Sequence, residues 1–484
     1  MSLPRAALAR STRPGARPPD AFDSSDFELN MPTAHPSATA PAARLRSAAS
    51  LLAARALAAL ALLACVAPAR ATLPIENWTT SVGTRVYFVR ADSIPILDIN
   101  VDFDAGGRYD PPAKAGLASM TAGLLGKGVP GLNENAIAER FADLGAQRGG
   151  GAGDDRASFS LRTLTSERQM SGALALFEQT LSQPQFPAGV FARQKEQVVQ
   201  ALRESETKPE SIASRTFERA VYGSHPYGLS ATPATVAAIG RDDAVAFWRE
   251  RYGASRAVIS MIGAIPRAEA EAIAERLSRG LPRGEAPAPL PPVALDRPGT
   301  VQRIAHPASQ SHILIGMPGI ARGDPDFFPL FVGNYVLGGG GFVSRLTSEV
   351  REKRGLAYSV YSGFAPAAQP GTFQIGLQTQ KAQTDTALAV VRATLERFLA
   401  EGPTEAELRA ARDNLVGGFA LRIDSNRKIL DNLATIGFYR LPLDYLDTWT
   451  ANVERVTVSD VRAAFARHVR PESLNTVVVG AAAP

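Results

Sequence analysis

Polar and apolar residues follow two different periods along the chain, and these periods predict a mixture of strands and helices. Alternation at every second position predicts strands, whereas apolar residues three or four positions apart predict amphipathic helices. Asn133 directly precedes one helical pattern and is a good candidate for its N-terminal cap. In the first part of the chain, strands are predicted over 85–89 and 94–105, and helices over 115–128, 133–144, 167–182 and 191–206.

The second part of the chain carries the same mixture of patterns. Runs of strands followed by paired helices favour an α+β fold, in which helices pack on one face of a mostly antiparallel sheet. Each half is therefore predicted to be an α/β sandwich of this kind. Strands are predicted over 311–317, 357–362 and 371–379, and helices over 344–353, 382–401 and 404–426.

Two similar segments indicate that the second part is a duplicate of the first. Ile239 and Val456 match at an offset of 217 positions, and the pairs Asp243/Asp460 and Gly263/Gly480 match at the same offset. A constant offset over such a span is typical of internal repeats. The Pro-rich segment 281–300 has the composition of a semi-rigid linker. We therefore predict two homologous domains, 72–280 and 301–484.

Residues 1–71 form a leader of different composition. Three arginines within 44–55 precede the apolar run 56–69, which ends in the small-residue motif Ala69-Arg70-Ala71. This order is typical of a secretory signal peptide, so the mature chain is predicted to begin at Thr72 and to be periplasmic or secreted. A mitochondrial transit peptide is the alternative for an Arg- and Ser-rich leader, but its four acidic residues argue against it.

Two details of this leader stay open on the sequence alone. Translation starts at Met1 or at Met31, because the first start would give an unusually long region before the apolar run. Cys65, the only cysteine, lies in Leu-Leu-Ala-Cys, which also fits a lipoprotein signal. A membrane anchor is expected only if Cys65 is lipidated. In either case the mature chain has no disulfide.

The charge of the chain gives no reason to expect nucleic acid as a partner. The formal net charge is +5, and the leader contributes most of it because it contains eight arginines and four acidic residues. The remainder of the chain is close to neutral, with no basic run typical of a nucleic-acid surface.

Two stretches bear on chemistry. The first, AGLASMTAGLLGKG at 115–128, has helical spacing, but its middle, residues 119–123, has no side chain that is a strong acid, a strong base or a good metal ligand. The second, Gly338 to Phe364, begins with a glycine run but lacks the Gly-Lys-Ser/Thr ending of a nucleotide-binding loop. Within it, Ser344-Arg345-Leu346, Arg351-Glu352 and Gly355-Leu356-Ala357-Tyr358 follow one another.

The second stretch resembles the second domain of the insulinase, or pitrilysin-type, zinc metallopeptidases, and the resemblance extends over the whole mature chain. It includes Gly-Leu-Ala-Ser at 116–119 and His-Pro-Tyr-Gly at 225–228. In that family an Arg and a Tyr seven residues apart help to hold substrate, and Arg351 and Tyr358 have this spacing. Taken without the resemblance, Arg351 would be read as the partner of a surface glutamate and Tyr358 as a core residue.

The resemblance also implies where a zinc site should lie, and there this sequence departs from the family. The family's His-x-x-Glu-His motif supplies two imidazole ligands and a general base, and a glutamate almost eighty residues later supplies the third ligand. Here Ser119 and Gly123 replace the histidines, Ala122 replaces the base, and the glutamate position falls at about Ala201. We therefore expect no metal in this chain.

The resemblance implies a non-catalytic subunit that pairs with a zinc-bearing two-domain chain of the same family. Arg351 and Tyr358 would then act in trans on a peptide held at the partner's zinc. The alternative is a structural or peptide-binding protein of the same fold with no protease role. An active protease with displaced ligands is disfavoured, because the four histidines after the leader form no ligand set with helical spacing. The sequence leaves open the identity of partner and substrate, and the choice between a homodimer and a heterodimer.

Overall fold

Two β-sheets form the framework of the protein, one on each side of the Pro-rich segment. The computed structural model describes residues 74–284 and 289–480. The predicted leader 1–71, with Met31 and Cys65, and the predicted N-terminus Thr72 lie outside the described residues. Within the described ranges, no helix is both long enough and apolar enough to cross a membrane.

Thirteen strands and fourteen α-helices can be named within the described residues. The strands are β1 Glu76–Thr79, β2 Arg85–Arg90, β3 Ile96–Phe103, β4 Gly128–Val129, β5 Leu132–Asn133, β6 Gln147–Ala152, β7 Ala157–Leu164, β8 Val258–Gly263, β9 Val301–Ala305, β10 Gln310–Pro318, β11 Ala357–Ala365, β12 Thr372–Gln380 and β13 Asn475–Gly480. The helices are α1 Leu117–Leu124, α2 Glu134–Asp143, α3 Glu167–Ser182, α4 Ala188–Ser205, α5 Pro209–Tyr222, α6 Pro233–Ala237, α7 Arg241–Arg251, α8 Arg267–Arg279, α9 Phe327–Asn334, α10 Thr384–Glu401, α11 Glu405–Gly417, α12 Asn426–Tyr439, α13 Tyr445–Glu454 and α14 Val458–His468.

Each sheet is mostly antiparallel and has one parallel pair of strands. The first sheet has the order β1-β2-β8-β3-β7-β6, with β2 and β8 parallel. The second has the order β11-β12-β10-β13-β9, with β13 and β9 parallel. Alternate residues of β3, such as Leu97 and Ile99, point into a core that most helices of the first half cover. Ile313 and Ile315 of β10 do the same in the second half. The predicted α+β fold of two related sandwiches is confirmed.

The bounds of the elements repeat at the offset found in the sequence. Helix α7 begins at Arg241 and α14 at Val458, and β8 and β13 begin at Val258 and Asn475, so each pair is 217 positions apart. Helices α5 and α12 are related by the same offset at both ends. A single duplication therefore accounts for the run of elements from α5 to β8 and from α12 to β13.

Helices α5 and α12 are exchanged between the two halves, which the sequence did not predict. Helix α12 places Ile429 and Leu433 against Val89 and Ile262, on the face of the first sheet opposite its main core. Helix α5 places Phe217 against the second sheet in the equivalent way. Helices thus cover both faces of each sheet, rather than the one face that was expected.

The predicted single helix over 404–426 is wrong. Helix α11 ends at Gly417, a short 3₁₀ turn follows, and α12 begins at Asn426 after its N-cap Ser425. The physical reason is local, because two successive glycines have low helix propensity and the Ser425 side chain accepts a hydrogen bond from the amide of Lys428. The break allows α12 to leave its own half and cross to the first sheet.

A buried aspartate joins the two halves beneath the ends of the exchanged helices. Asp155, which is 5% exposed, accepts hydrogen bonds from the guanidinium of Arg108 and the hydroxyl of Tyr227 in the first half. From the second half it accepts hydrogen bonds from the hydroxyl of Tyr439 and the amide of Ala368, each at 2.8 Å. Since one carboxylate satisfies donors from both halves, the junction is a specific polar contact as well as an apolar one.

Candidate substrate-binding site

The Gly-rich segment, Gly338–Tyr358, joins helix α9 to strand β11 through irregular helical turns. Two π-helical turns, Tyr335–Gly339 and Thr347–Glu352, flank its glycine run. The predicted regular helix over 344–353 is therefore wrong over most of its length, because Thr347–Glu352 forms a wider π-helical turn. Such turns are frequent at functional sites because they re-aim side chains. Gly338 packs against β11 so closely that an added Cβ would lie 2.4 Å from the Ser362 hydroxyl.

Arg351 and Tyr358 come together at the end of this segment. Gly355, at φ +61°, lets the chain reverse between them. The guanidinium carbon of Arg351 lies 5.0 Å from the centroid of the Tyr358 ring and 4.7 Å from that of the Phe342 ring. These distances are within the range of cation–π contacts. The arginine is therefore held between two aromatic rings.

The environment of this pair differs from that of a structural pair. The Tyr358 side chain is 84% exposed, and Phe342 beside it is 66% exposed. Within the described part of the chain, no carboxylate forms an ion pair with Arg351, although Glu349 binds its neighbours Lys353 and Arg354. Tyr358 is thus not a core residue, and Arg351 is half-buried against the two rings.

An ion pair anchors the beginning of the Gly-rich segment to helix α11. Arg345 donates two hydrogen bonds to Glu407, at 2.8 and 2.7 Å, and a third to the carbonyl of Gly402. Glu407 also accepts a hydrogen bond from the amide of Thr404, the helix cap. The Arg345 guanidinium and these capping donors lower the pKa of Glu407 to about 2. The segment is therefore anchored at Arg345, with exposed residues on both sides of the anchor, at 341–343 and at Tyr358.

A groove begins beside Tyr358, which we call the tyrosine groove. It lies between helix α5 and strands β10 to β12, has a volume of about 380 Å³, and is lined by Glu210, Ser214, His312, Tyr358, Tyr361 and Gln378. Tyr361 lies flat over Gly376, where an added Cβ would be 2.5 Å from the ring. Burial lowers the pKa of His312, which favours the uncharged form of its imidazole. The groove combines aromatic walls with polar side chains and one carboxylate, that of Glu210, and such a mixture of apolar walls with a few polar groups is common in ligand sites.

Helix α1 carries the positions where the family has its zinc ligands. It is shorter than the predicted helix 115–128, since Leu125 is already extended. Its first turn is capped by Asp110, which accepts hydrogen bonds from the amides of Gly116 and Ala118 and whose pKa burial raises to about 6. Ser119 is exposed, Ala122 is buried, and Gly123 is half-buried.

The residues at these positions do not fit a zinc ion. Ala122 and Gly123 have no donor atom, and a serine hydroxyl is not among the usual zinc ligands. The side chain of Gln194 from α4 occupies the space above Gly123, with its amide nitrogen 2.2 Å from where a Cβ would be. Ala201, exposed on the same helix two turns beyond Gln194, contributes only a methyl group. The former motif helix thus serves for packing.

The histidines of the described residues lie elsewhere. His225 accepts a hydrogen bond from the amide of Tyr227 in a tight turn, and His306 accepts one from the amide of Ala308. His468 lies beside Asp324 and Asp326, and these three form the one group in the described ranges with the geometry of metal ligands. Arg467 already binds Asp326 with two hydrogen bonds, at 2.8 and 2.7 Å, so the group is an ion-pair network.

Sequence reasoning missed three residues that shape these sites. Phe342 had a signal, because it follows the glycine run of the Gly-rich segment, but its stacking on Arg351 depends on the fold. Gln194 and Asp155 had none, since each acts on residues distant in the sequence. Of the predicted site residues, the structure brings Arg351 and Tyr358 together. Ser119, Ala122 and Gly123 lie on α1, and Ala201 lies on α4.

Two family profiles match successive parts of the chain. The profile described as insulinase, peptidase family M16, matches residues 85–233, and that described as the peptidase M16 inactive domain matches residues 238–415. A solved structure of a peptidase M16 inactive domain from Pseudomonas fluorescens is 37% identical, with a TM-score of 0.81. The alignment covers 85% of this chain and 99% of that one.

Two curated relatives are more distant. An uncharacterized zinc protease of Mycobacterium bovis is 26% identical over 86% of this chain and 94% of its own. The non-peptidase homolog YmxG of Helicobacter pylori is 25% identical over 80% of this chain and 89% of its own. The inactive-domain and non-peptidase descriptions fit a peptidase-like protein that is not itself catalytic. The chain belongs to the insulinase family of peptidases, family M16.

Proposed function

We propose that this chain is the exported, non-catalytic subunit of a two-chain zinc peptidase. Its partner would be a two-domain chain of the same family that carries the zinc ligands, and its own role would be to bind the peptide. The observation that supports this most strongly is the contrast within one molecule. The positions of the zinc motif carry no metal ligand, whereas Arg351 and Tyr358 lie together at the surface, with Tyr358 exposed and Arg351 half-buried.

The chemistry of the pair suits a peptide that is being cleaved in the partner's site. A guanidinium and a phenol are both hydrogen-bond donors, and an amide carbonyl gains negative charge as it is attacked. Phe342 and Tyr358 restrict the guanidinium to one position, so less freedom is lost when the peptide binds. The tyrosine groove next to the pair offers room for the flanking residues of the peptide.

The proposal is tested by reconstituting the pair of chains. The mature chain is mixed with its zinc-bearing partner, complex formation is measured by gel filtration, and cleavage of a fluorogenic peptide is followed. Losing one donor to a developing oxyanion costs on the order of 3 kcal/mol, so we expect turnover to fall about a hundredfold in Tyr358→Phe and Arg351→Ala. Both variants should still form the complex, because neither side chain is buried in the core.

Two control variants separate this role from general disturbance of the surface. Arg354→Ala removes an exposed arginine three residues from Arg351 that binds Glu349 instead of an aromatic ring. Tyr445→Phe removes a phenol distant in sequence from the Gly-rich segment. Both should keep full turnover. Full activity of Tyr358→Phe in an intact complex would contradict the proposal and favour a structural or peptide-binding role without proteolysis.

The metal and the site of action are tested separately. Elemental analysis of the mature chain alone should find no stoichiometric zinc, and one tightly bound zinc per chain would contradict the proposal. Sequencing of the N-terminus from the native host should find Thr72 or a lipidated Cys65. An intact leader on the protein in the cytoplasm would show that the chain is not exported.

A further inference from the structure

A cavity lined by five arginines lies at the junction of the two halves. Its volume is about 300 Å³, and the guanidinium-bearing residues that line it are Arg85, Arg108, Arg256, Arg322 and Arg440. The first three belong to the first half of the chain and the last two to the second. We infer that this arginine cavity is a binding site for a small polyvalent oxyanion of the phosphate type.

The acidic groups near the cavity neutralise only part of this charge. Asp104 is the one carboxylate that lines it, and it binds both Arg108 and Arg256. These two guanidinium groups hold the pKa of Asp104 below its usual range, although burial alone would raise it. Asp155, beneath the cavity, also binds Arg108. The two carboxylates therefore account for the two arginines that they contact.

The other three arginines have no carboxylate partner among the described residues. Arg85 donates a hydrogen bond of 2.7 Å to the carbonyl of Gly437, in the last turn of α12. The dipole of a helix end amounts to about half a charge, which is less than one guanidinium carries. Arg322 stacks on Tyr439 at 5.5 Å, and its buried Nε has no hydrogen-bond partner within the described ranges. An anion in the cavity would supply the negative charge that these three arginines lack.

The backbone at Arg440 supports a role for its side chain. Arg440 follows α12 in the left-handed conformation, with φ +55° and ψ +42°. This position favours glycine or asparagine, because other side chains strain the backbone there. A strained residue persists where its surroundings fix it, and such residues cluster at ligand sites. Here the left-handed backbone places Arg440, the third arginine without a carboxylate partner among the described residues, at the cavity.

The size and the donors of the cavity indicate the class of ligand. Its volume is at the lower end of the range for small-molecule sites, so it suits a ligand of few atoms. Guanidinium groups bind phosphate and carboxylate with paired hydrogen bonds, and several of them around one cavity favour several negative charges. Phosphate and pyrophosphate meet these requirements. Citrate has comparable charge with a different geometry and serves as the competing probe.

Binding is tested by titrating the mature chain with pyrophosphate, phosphate and citrate in a calorimeter, with potassium chloride at matched ionic strength as the reference. We expect saturable binding of pyrophosphate, followed by phosphate, and a rise in the melting temperature that chloride does not reproduce. The double variant Arg322→Gln/Arg440→Gln should weaken pyrophosphate binding roughly a hundredfold, about tenfold for each arginine.

The matched control is Arg397→Gln/Arg409→Gln, which removes two exposed arginines from α10 and α11 and changes the net charge equally. It should bind pyrophosphate like the unaltered chain. If the pocket double variant does not fold, Arg440→Gln alone tests the same point, because Arg440 is exposed. Equal stabilisation by pyrophosphate and chloride, or equal affinity in both double variants, would overturn the inference. Tighter binding of citrate than of pyrophosphate would overturn the assignment to phosphate.

Discussion

Helix α1 in the first half and the Gly-rich segment in the second half differ in how far their side chains are exposed. Helix α1 turns most of its residues into the core, and Gln194 fills the space at Gly123. The Gly-rich segment leaves Phe342, Val343 and Tyr358 more than half exposed. Exposed apolar patches often mark interaction sites, so this surface is consistent with the peptide-binding role proposed above. The contrast between the two regions is therefore the basis of the proposed binding role.

The largest effect is expected where the two halves depend on each other. Replacing Asp155 by alanine removes one of the two carboxylates that bind Arg108, whose side chain is 9% exposed. It also removes the acceptor of two tyrosine hydroxyls, those of Tyr227 and Tyr439. Breaking a buried charged network of this kind costs about 3–5 kcal/mol. Urea denaturation of Asp155→Ala should show this loss of stability.

The same variant tests how much the polar contacts of Asp155 contribute to holding the two halves together. The control is Asp424→Ala, which removes an exposed partner of Lys428 and should cost less than about 1 kcal/mol. A stability loss in Asp155→Ala no larger than that of the control would show that the junction is held by apolar packing alone.

A smaller effect should follow from releasing the anchor of the Gly-rich segment. The folded pKa of Glu407 is about 2, below its ordinary value of 4.5, so its charged form stabilises the fold. This stability is fully present above pH 4.5 and is lost as the pH falls toward 2. The shift alone would correspond to about 3 kcal/mol, but the side chain is a third exposed, so about 1–2 kcal/mol is expected.

The measurement is the stability of Glu407→Gln and of the unaltered chain between pH 2 and 7. The difference should be largest near neutral pH and should vanish at the acidic end. Glu405→Gln, an exposed residue in the first turn of the same helix, serves as the control and should give a small difference that does not follow this profile. A constant difference for Glu407→Gln over the whole range would show that Arg345 is not bound through charge.

Phe342 tests whether the exposed rings position Arg351. Cation–π contacts at exposed sites contribute about 0.5–1 kcal/mol, so Phe342→Ala should lower the turnover of the assembled pair by roughly two- to fivefold. Stability should not change, because the ring is 66% exposed. Val343→Ala, at a neighbouring exposed position, should leave turnover unchanged. An equal fall in both variants would assign the effect to loss of apolar surface.

Much of the fold was predictable because it depends on local patterns and on the duplication. Helix α3 begins and ends where periodicity predicts, and Asn133 caps α2 as expected. The exchange of α5 and α12 was not predictable, since both helices are ordinary amphipathic segments and nothing local specifies which sheet an apolar face will cover. The two glycines at 417 and 418 indicated a break before α12. The prediction followed the helical pattern on either side of them instead.

The candidate site was also predictable only in part. The spacing of Arg351 and Tyr358 was visible in the sequence, and so was the absence of zinc ligands at Ser119 and Gly123. The stacking of Arg351 on Phe342 depends on a π turn, which has no simple sequence pattern. The arginine cavity draws on five separate stretches of the chain, so only the folded structure brings its charges together.

The smallest effect is expected at Gly123, in the region where the catalytic side chains are absent. In Gly123→Ala two effects oppose each other. Alanine favours a helix over glycine by up to about 1 kcal/mol, but the new methyl group requires Gln194 to move. The colliding atom is the end of a flexible side chain, and the amide oxygen of Gln194 already has no hydrogen-bond partner within the described residues. Its displacement should therefore cost little, and the net change in stability should be a few tenths of a kcal/mol.

The double variant separates these two effects. In a Gln194→Ala background the space above Gly123 is open, so Gly123→Ala should stabilise the protein by about 0.5–1 kcal/mol in urea denaturation. Neither variant introduces a metal ligand, and neither should change turnover of the assembled pair, because α1 supplies no reacting group. If Gly123→Ala instead costs several kcal/mol in both backgrounds, backbone packing rather than Gln194 requires the glycine. Helix α1 would then be a tightly constrained part of the core, and the side chain of Gln194 would not be what excludes a larger residue at Gly123.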